Sequence, residues 1–455
     1  MNTTVSLLSK YNREVPRYTS YPTVPFWYDF ADNQSYFHNF SERFSLYNKP
    51  EGISLYLHLP FCETLCTYCG CNKVITKNHS VEEEYLNAIL DEWYQYGKLM
   101  GAAPVIRELH LGGGTPTFFS PENLRRLLNC LFDIADIHAD REFSIEGHPN
   151  NTTKAHLELL YQFGFRRISF GVQDHDPEVQ RIINRIQPYE NVKRVTEWAR
   201  QIGFTSVNYD LIYGLPHQTE KSITKTIIDT IALKPDRIAF YSYAHIPWKA
   251  KSQRLYDERD LPPAGQKLKF YTIARSLFLS SGYKDIGMDH FALPGDDLFV
   301  AYHTGNLHRN FMGYTTAKTH FLVGLGVSAI SDTGTAYAQN NKELTNYYRR
   351  INASEIPVQR GYLLNETEAV FRNYILDIAC KGETTFGSHH RDLLEEYVLP
   401  ELKEMEDDGL LLLRKKQLTV TETGRMFLRN ICHAFDLKDK LRDNQHDVPT
   451  FSKAI

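Results

Sequence analysis

The sequence has little of what marks membrane, secreted or nucleic-acid-binding proteins. It holds no apolar run long enough to span a bilayer, and its first residues, MNTTVSLLSKYN, lack the basic and apolar segments of a signal peptide. Its net charge of −4 gives no general attraction to nucleic acid or to an anionic membrane. We therefore predict a cytoplasmic protein without a membrane span or a nucleic-acid partner, and we expect it to be a monomer.

Cysteine is scarce outside one short stretch. The chain of 455 residues has seven cysteines, and four of them lie in CETLCTYCGC, from Cys62 to Cys71. A disulfide is disfavoured because cytoplasmic thiols stay reduced. A zinc site usually includes a second pair of cysteines or nearby histidines, and none follows here. Cys62, Cys66 and Cys69 have the spacing C-x3-C-x2-C, and three thiolates on one loop suit a [4Fe–4S] cluster with one open iron.

The chain does contain a regular alternation of apolar runs and amphipathic helical patterns. The apolar runs span residues 53–59, 105–111, 141–146, 166–172, 206–214 and 237–243. Helices are predicted between them, for example over 81–100 and 121–137, the second with Ser120 as N-cap before Pro121. Repeated β-then-α units predict parallel strands. Six units predict an α/β fold with a partial (β/α)6 TIM-like barrel, in which chemistry gathers at the carboxyl ends of the strands.

The pattern changes near residue 363, which predicts three parts in the chain. These are an N-terminal arm with a lead-in helix (1–50), a barrel domain (51–362) and a mostly α-helical, winged-helix-like C-terminal domain (363–455). The wing is the predicted hairpin in LLLLRKKQLTVTETG. The stretch from Asp392 to Asp408 is acidic, which is the wrong sign for phosphate contact. Packing or covering of a substrate is therefore a better interpretation than DNA binding.

A glycine-rich loop follows the second predicted strand. The segment HLGGGTPT runs from His110 to Thr117, and its three glycines permit a close approach of backbone to a ligand. A glycine triplet alone is as consistent with an ordinary turn. Because this strand neighbours the one that leads into the cysteine loop, the two motifs are predicted to lie on the same face.

Together the two motifs resemble those of radical S-adenosylmethionine enzymes. Longer stretches resemble the oxygen-independent coproporphyrinogen III oxidases, from about Tyr11 to the closing FSKAI. They are PRYTSYPT (16–23), HLPFCETLCTYCGCNK (58–73), LGGGTPT (111–117), GVQD (171–174), DLIYGLP (210–216), GMDHFA (287–292), LHRNF (307–311) and GVSAIS (326–331).

The resemblance implies a reaction in haem biosynthesis. Two propionates of coproporphyrinogen III would be oxidatively decarboxylated to vinyls through a 5′-deoxyadenosyl radical, giving protoporphyrinogen IX. It also implies a [4Fe–4S] cluster with three cysteine ligands, two molecules of S-adenosylmethionine, an electron donor of the flavodoxin or ferredoxin type and an electron acceptor. A haem chaperone and a radical methyltransferase that opens the haem ring are alternatives on the same barrel, but the N-terminal arm fits them less well.

The resemblance also implies site residues, which divide by role. The cluster-bound S-adenosylmethionine would contact Tyr56, Gly113, Glu146 and Ile330. The second molecule would contact Tyr68, Gly114, Thr115, Gln173, Arg185, Asp210 and Ala244. Tyr56 and His58 are expected to serve catalysis, and Arg17 and Arg309 to hold propionates. Judged without the family, the polar residues at the strand ends are as consistent with groups that cap neighbouring helices.

Four features leave the implied function incomplete. The segment EGHPN, 146–150, stands where the family pattern reads E-x-D-P, and Met312 stands where glutamine is expected. Cys71 has no assigned role. The arm YNREVPRYTSYPTVPFW is predicted to be extended because of its prolines. It either packs on the outside of the barrel or folds over the top, where Arg17 would meet a propionate.

Overall fold

The computed structural model describes residue 7 and residues 9–30 and 33–442 of the chain. The strands of this part are β1 (Tyr28–Asp29), β2 (Ile53–Leu59), β3 (Phe61–Cys62), β4 (Val74–Ile75), β5 (Val105–Gly113), β6 (Asp136–Gly147), β7 (Arg167–Gln173), β8 (Ser206–Tyr213), β9 (Arg237–Ser242), β10 (Lys284–Gly287), β11 (His290–Ala292), β12 (His308–Asn310), β13 (Gly313–Thr315), β14 (Leu322–Leu325), β15 (Ile330–Asp332), β16 (Ala336–Asn340), β17 (Val358–Leu363), β18 (Glu383–Thr385), β19 (Leu411–Arg414) and β20 (Gln417–Val420).

The α-helices of the same residues are α1 (Gln34–Glu51), α2 (Val81–Met100), α3 (Pro121–Phe132), α4 (Lys154–Gln162), α5 (Pro177–Ile182), α6 (Tyr189–Ile202), α7 (Glu220–Ala232), α8 (Ala264–Ser280), α9 (Asp297–Thr304), α10 (Leu344–Asn352), α11 (Glu366–Lys381), α12 (Arg391–Leu393), α13 (Leu399–Asp407), α14 (Leu428–His433) and α15 (Leu437–Lys440). Across the described ranges, no helix combines the length and the apolarity that a membrane crossing requires.

The predicted parallel strands form the centre of one large sheet. Its order is β1-β17-β16-β15-β14-β2-β5-β6-β7-β8-β9-β11-β10. The six predicted runs correspond to β2, β5, β6, β7, β8 and β9, which are parallel and adjacent in chain order. β14 adds a further parallel strand beside β2. Among the described residues no ladder joins β1 to β10, so the sheet is open, and the predicted α/β fold with a partial barrel is confirmed.

The boundary between α3 and β6 differs from the prediction. The start of α3 agrees with the prediction. The Ser120 side chain accepts a hydrogen bond from the Asn123 amide at 3.2 Å, and Pro121 follows as the first helical residue. The helix predicted over 121–137 ends at Phe132, however, and the strand predicted to begin at 141 begins at Asp136. The backbone of Asp136 bonds to Pro104 beside β5, so pairing with the sheet overrides a helical apolar pattern that continues in the sequence.

The C-terminal part packs around a second apolar core, to which residues between 286 and 314 also contribute. Helix α11 and the helices that follow it surround this core, and the predicted hairpin forms as β19 and β20, which β18 completes as a three-stranded sheet. Tyr11, Tyr18 and Tyr21 of the N-terminal arm are buried in the same core. The arm therefore packs against the C-terminal part, while β1 at its end pairs with β17 of the large sheet. The predicted domain boundaries, after residues 50 and 362, remain predictions.

Candidate active site

The cysteine loop leaves the carboxyl end of β2 and is held at its base by a short ladder. β3 and β4 pair in parallel at the two ends of the loop. The backbone of Val74 donates to Pro60 and that of Thr76 donates to Cys62, each at 2.9 Å. The residues between them are therefore closed into a compact loop over the ends of the parallel strands.

A cavity of about 250 Å³ lies beneath this loop. It brings together residues from the ends of five parallel strands and the segments that follow them. The predicted site residues that line it are Cys62, Cys66, Tyr68, Cys69, Gly113, Gly114, Thr115, Glu146, Gln173, Arg185 and Asp210. Most of the predicted site thus forms one continuous surface at the carboxyl end of the sheet, although its segments are far apart in sequence.

The three thiols of the predicted cluster face this cavity with polar neighbours. Cys62 Sγ lies 3.3 Å from the hydroxyl of Thr115, and a guanidinium nitrogen of Arg185 donates to Cys66 Sγ at 3.5 Å. Burial raises the pKa of the Cys62 thiol to about 11. Within the described ranges, no three His, Cys, Asp or Glu side chains converge closely enough to hold a single metal ion, whereas the cysteines of an iron–sulfur cluster each bind a different iron.

The glycines beneath the cysteine loop allow the loop to approach the sheet more closely than any larger residue would permit. A Cβ on Gly114 would lie 2.4 Å from the carbonyl oxygen of Pro60, and Gly113 has φ of +114° with the His58 ring 2.8 Å from its missing Cβ. The backbone amide of Gly113 also donates to the Glu146 carboxylate at 3.1 Å. The triplet is therefore more than a turn, because it seats the cysteine loop against the sheet and exposes backbone to the cavity.

Two carboxylates lie across the floor of the cavity. Glu146 is bonded to Gly113 and lies 3.4 Å from His110 Nε2. Asp210 accepts hydrogen bonds from Ser169 and Asn208 at 2.8 and 2.9 Å. Burial and the nearby charge of Glu146 raise the pKa of Asp210 to about 6, against the opposing effect of the two donors. Both groups can accept hydrogen bonds from hydroxyl or ammonium groups of a ligand.

Arg185 and Lys73 are the cations among the described residues that line the cavity. One guanidinium nitrogen donates to the Gly171 carbonyl at 2.6 Å, while its buried Nε has no hydrogen-bond partner among the described residues. A Cβ on Gly171 would lie within 2.8 Å of Arg185 and of Gln173. Gly171 therefore leaves room for both side chains, and the unused donor of Arg185 is available to an anionic ligand.

Tyr56 and His58 lie behind the glycines rather than among the cavity-lining residues. His58 Nε2 lies 2.9 Å from the Asn72 carbonyl, which only accepts, so Nε2 carries the proton. Nδ1 then accepts from the Tyr56 hydroxyl at 3.1 Å. Burial lowers the pKa of His58, in agreement with a neutral ring. The pair thereby ties the cysteine loop to β2.

Ala244 and Ile330 are the other two predicted cofactor contacts that do not line the cavity. Gln253 connects Ala244 to the loop, because its amide nitrogen donates to the carbonyls of Tyr68 and Ala244 at 2.9 and 3.2 Å. Gln253 was missed by the sequence analysis, since its segment has no periodic pattern. Ile330 packs against an apolar group that includes Trp27 of the arm.

The two predicted propionate-binding arginines contact each other, and neither is among the residues that line the cavity. Arg17 donates to the Ser242 carbonyl at the end of β9 at 2.8 Å, and its guanidinium lies over the Tyr241 ring. Arg309 donates to the Arg17 carbonyl at 3.2 Å. Arg309 is 6% exposed, and its Nε and Nη1 have no partner in the described part of the chain. The arm thus reaches the carboxyl end of the sheet as well as the C-terminal core.

Comparisons with known proteins agree with this geometry. The model of the radical SAM superfamily matches residues 56–229. A protein of Escherichia coli named oxygen-independent coproporphyrinogen III oxidase is 41% identical over 461 residues, which cover 99% of this chain and 98% of that protein. A Pseudomonas aeruginosa protein of the same name is 39% identical over 94% of this chain and 95% of its own.

A solved structure is also similar over its whole length. It is that of coproporphyrinogen III oxidase (HemN) from Escherichia coli, described as a radical SAM enzyme, with a TM-score of 0.86 and 38% identity over 94% of this chain and 100% of that one. The chain belongs to the oxygen-independent coproporphyrinogen III oxidase family. It is therefore a radical SAM oxidoreductase, and the family implies a 4Fe–4S cluster and S-adenosylmethionine as cofactors.

The two departures from the family pattern both lie at the site. His148 lines the cavity under the cysteine loop, where its Nδ1 accepts from the Asn150 amide at 3.1 Å. Burial and Arg185 lower its pKa well below the usual range, so the ring is neutral. Met312 lines an adjoining cavity of about 210 Å³ that shares Asp210 and Tyr241 with the first. Both residues thus form part of the surface offered to a ligand in this oxidase family member.

Proposed function

We propose that this chain catalyses the oxygen-independent oxidative decarboxylation of coproporphyrinogen III to protoporphyrinogen IX. Each reacting –CH2–CH2–COO⁻ group becomes –CH=CH2 with release of carbon dioxide, one hydrogen atom and one electron. The observation that carries the proposal is the single cavity in which three thiols meet the glycine triplet and the polar strand ends. The curated relatives, whose names state this activity, support it.

Most of the predicted cofactor contacts line this cavity, and Tyr56, Ala244 and Ile330 lie outside its lining. Cys62, Cys66 and Cys69 would hold the [4Fe–4S] cluster and leave one iron open. Tyr56, Gly113, Glu146 and Ile330 would contact one S-adenosylmethionine. A second would contact Tyr68, Gly114, Thr115, Gln173, Arg185, Asp210 and Ala244. When bound and reduced, these groups supply the radical that removes a hydrogen atom from the propionate carbon β to the carboxyl group.

The chain itself contributes position and exclusion of water. The unused donor of Arg185 would bind the methionine carboxylate, for which a guanidinium fork is suited. Glu146 and Asp210 would accept from ammonium and ribose hydroxyl groups. His58, together with Tyr56, would hold the cysteine loop through Asn72, so its contribution to catalysis is orientation of the loop.

Arg309 and Arg17 are proposed to hold the substrate. A buried guanidinium with two unpartnered donors costs free energy unless a ligand supplies an acceptor. A propionate carboxylate is such an acceptor. The N-terminal arm that carries Arg17 would exclude water from the top of the sheet while the radical is present.

The remaining assignments follow from the proposed reaction. Each turnover consumes electrons that the chain cannot generate, so we propose an electron donor of the flavodoxin or ferredoxin type and a separate acceptor for the electron released with carbon dioxide. A cytoplasmic location and a monomeric state are part of the same proposal.

Anaerobic turnover tests the function directly. The chain with its reconstituted cluster is incubated with coproporphyrinogen III, S-adenosylmethionine and dithionite, and the products are separated after oxidation to fluorescent porphyrins. Two successive losses of a carboxyl group are expected. A protein that binds haem tightly and never converts the substrate would instead be a haem carrier, and transfer of a methyl group to haem would favour the haem-degrading alternative.

A further inference from the structure

A second cavity, larger than the one beneath the cysteine loop, lies at the opposite end of the parallel strands. Its volume is about 520 Å³, and Leu322 at the start of β14 is part of its wall. Leu322 pairs with Ser54 near the start of β2, whereas the cysteine loop follows the end of β2. Since β2 has seven residues, each adding about 3.3 Å, the two sites are roughly 20 Å apart. A ligand in the second cavity would therefore be independent of the proposed reaction.

Four segments that are distant in the chain form the wall of this cavity. They are α1, residues 305–322, residues 332–335 and α11. Helix α11 belongs to the predicted C-terminal domain, so the cavity lies between that part and the large sheet. A ligand bound here would contact elements that only the folded chain brings together, and it would therefore stabilise the fold.

The cations that line the cavity outnumber the carboxylates among the described residues. The cations are Arg43, Lys318, Arg372 and Lys381, and the carboxylates are Asp332 and Asp377. Arg372 pairs with Asp332 at 2.5 Å. Lys381 pairs with Asp377 at 2.8 Å. Two positive charges are therefore left over, in a chain whose net charge is −4.

The two remaining cations, Arg43 and Lys318, have no carboxylate partner in the described part of the chain. Arg43 donates to the Thr333 carbonyl at 3.2 Å and to the hydroxyl of Tyr47, and these acceptors do not balance its charge. Lys318 is exposed and forms no hydrogen bond or ion pair with another described residue. Both charges are thus available to an anion from solution.

His308 lies beside these charges in the cavity wall. Burial, together with the cations of Arg372 and Lys318, lowers its pKa to about 3, so the ring is neutral. No residue of the described ranges forms a hydrogen bond with either ring nitrogen. The buried ring therefore has one N–H donor to offer to a ligand oxygen. The nearby Glu51 carboxylate is bonded to His320 at 2.8 Å instead.

Apolar side chains complete the cavity wall. Leu307 and Leu322 are 5% and 3% exposed, and Ala369 and Leu376 of α11 lie with them. Pockets for small organic ligands combine an apolar lining with a few polar groups that fix the orientation of the ligand. The cavity therefore fits an anion with an apolar body better than it fits a simple inorganic ion.

We propose that this cavity binds a small organic dianion whose apolar body carries carboxylate or phosphate oxygens. Its oxygens contact Arg43, Lys318 and His308, and its body packs on Leu307 and Leu322. Guanidinium and ammonium groups bind carboxylate and phosphate alike, so the shared chemistry is that of a doubly charged oxyanion. Binding forms and breaks no covalent bond.

Calorimetric titration of the anaerobic holoenzyme tests this site with two dianions that share a benzene ring, phthalate and phenyl phosphate. Sodium chloride keeps the ionic strength constant between titrations. Saturable binding of one probe molecule per chain is expected for at least one of the two. Binding of phthalate alone would identify a carboxylate ligand, binding of phenyl phosphate alone a phosphate ligand, and binding of both a site that accepts either oxyanion.

Two variants and a matched control locate the bound probe. In Arg43→Gln/Lys318→Gln and in Lys318→Glu, the dissociation constant is expected to rise at least about tenfold, because an attractive charge is lost or reversed. Lys318→Glu changes an exposed side chain and should fold even if the double variant does not. The control Lys193→Gln/Arg414→Gln removes a lysine and an arginine that are exposed and do not line the cavity, so its dissociation constant should be unchanged.

Two outcomes would overturn the proposal. One is that neither probe binds the wild-type chain saturably. The other is that Lys318→Glu and the control bind the probe with equal affinity, which would place the probe elsewhere, for example at the arginines of the proposed active site. Neither measurement depends on turnover of coproporphyrinogen III, so a failure of the proposed function would leave this result standing.

Discussion

Two buried arginines near the amino end of the parallel strands differ from two near the carboxyl end in the partners of their charges. At the amino end, Arg237 is paired with Asp296 at 2.6 Å, and Arg372 is paired with Asp332. At the carboxyl end, the buried donors of Arg185 and Arg309 are left without partners in the described chain. Buried charges that find partners inside the protein hold the fold together. Those that do not are available to a ligand, which explains why these two groups of arginines should respond differently to substitution.

The largest effect is expected from the thiols at the carboxyl end. Cys66→Ser should lose the cluster and all S-adenosylmethionine cleavage, because Cys66 is one of three proposed ligands. Cys71→Ser is the matched control, since Cys71 lies on the same loop and lines the same cavity but has no proposed ligand role. Iron and sulfide analysis with visible absorbance measures both. Equal loss of iron in the two variants would contradict the assignment of an open iron.

Substitution of Arg309, two of whose guanidinium nitrogens have no partner among the described residues, should separate substrate binding from cofactor chemistry. In Arg309→Gln, the rate of protoporphyrinogen formation is expected to fall about a hundredfold, as for a lost positioning contact, while the cluster and S-adenosylmethionine cleavage are retained. Arg309→Lys keeps the charge and should recover part of the rate. Product and 5′-deoxyadenosine are quantified from the same reactions. If the formation of product and the formation of 5′-deoxyadenosine fell together in each variant, Arg309 would belong to the cofactor site.

At the amino end, the same kind of change should act on stability. Asp332→Asn leaves Arg372 buried without its carboxylate partner and is expected to lower the free energy of unfolding by about 3 kcal/mol. Asp377→Asn is the matched control, because the Asp377–Lys381 pair is exposed on both sides, and its effect should stay below about 1 kcal/mol. Denaturant unfolding measures both. Turnover by folded Asp332→Asn should be normal, and a selective loss of turnover would remove the distinction between the two ends.

A pH-dependent effect on stability is expected from a buried carboxylate near the carboxyl end whose hydrogen bonds are satisfied. Glu92 accepts from the Gly326 amide, the Tyr347 hydroxyl and Asn340. Burial, opposed by these donors, raises its pKa from 4.5 to about 8. The folded state therefore favours the protonated form, and this stabilisation is lost as pH rises from about 4.5 through 8.

The free energy of unfolding of the wild-type chain should fall over this range more than that of Glu92→Gln, which does not titrate. The measurement is a series of denaturant titrations at several pH values, with turnover as a second readout. The same slope for both chains would mean that Glu92 is ionised in the folded protein at all of these pH values.

The β/α core and much of the site could be predicted from the sequence because their signals are local. Each strand is a short apolar run, the thiols share one loop, and Gly113 and Gly114 follow directly from their strand. The predicted end of α3 was wrong because a helical apolar pattern continues where the sheet pairs with Asp136.

Other contacts could not be predicted, since they join segments that are distant in the chain. Gln253 reaches Tyr68 from an irregular segment, and the Nε2 proton of His58 is determined by the carbonyl of Asn72. The arm was expected either to pack outside or to cover the top, and its contacts divide between the C-terminal core and Ser242. Which of these long-range contacts forms depends on packing energies that cannot be read from a single sequence.

The position of β14 beside β2 has a consequence for the folding of the chain during its synthesis. β2 carries the cysteine loop and pairs with β5 on one side, but its other neighbour begins only at Leu322. At roughly 5–20 residues per second of synthesis, this edge of β2 stays open for tens of seconds after Leu59 has been added. An open apolar edge is a template for pairing with other chains. Nascent chains that stop before Leu325 should therefore depend on chaperones, and truncation there should yield aggregates rather than a smaller folded protein.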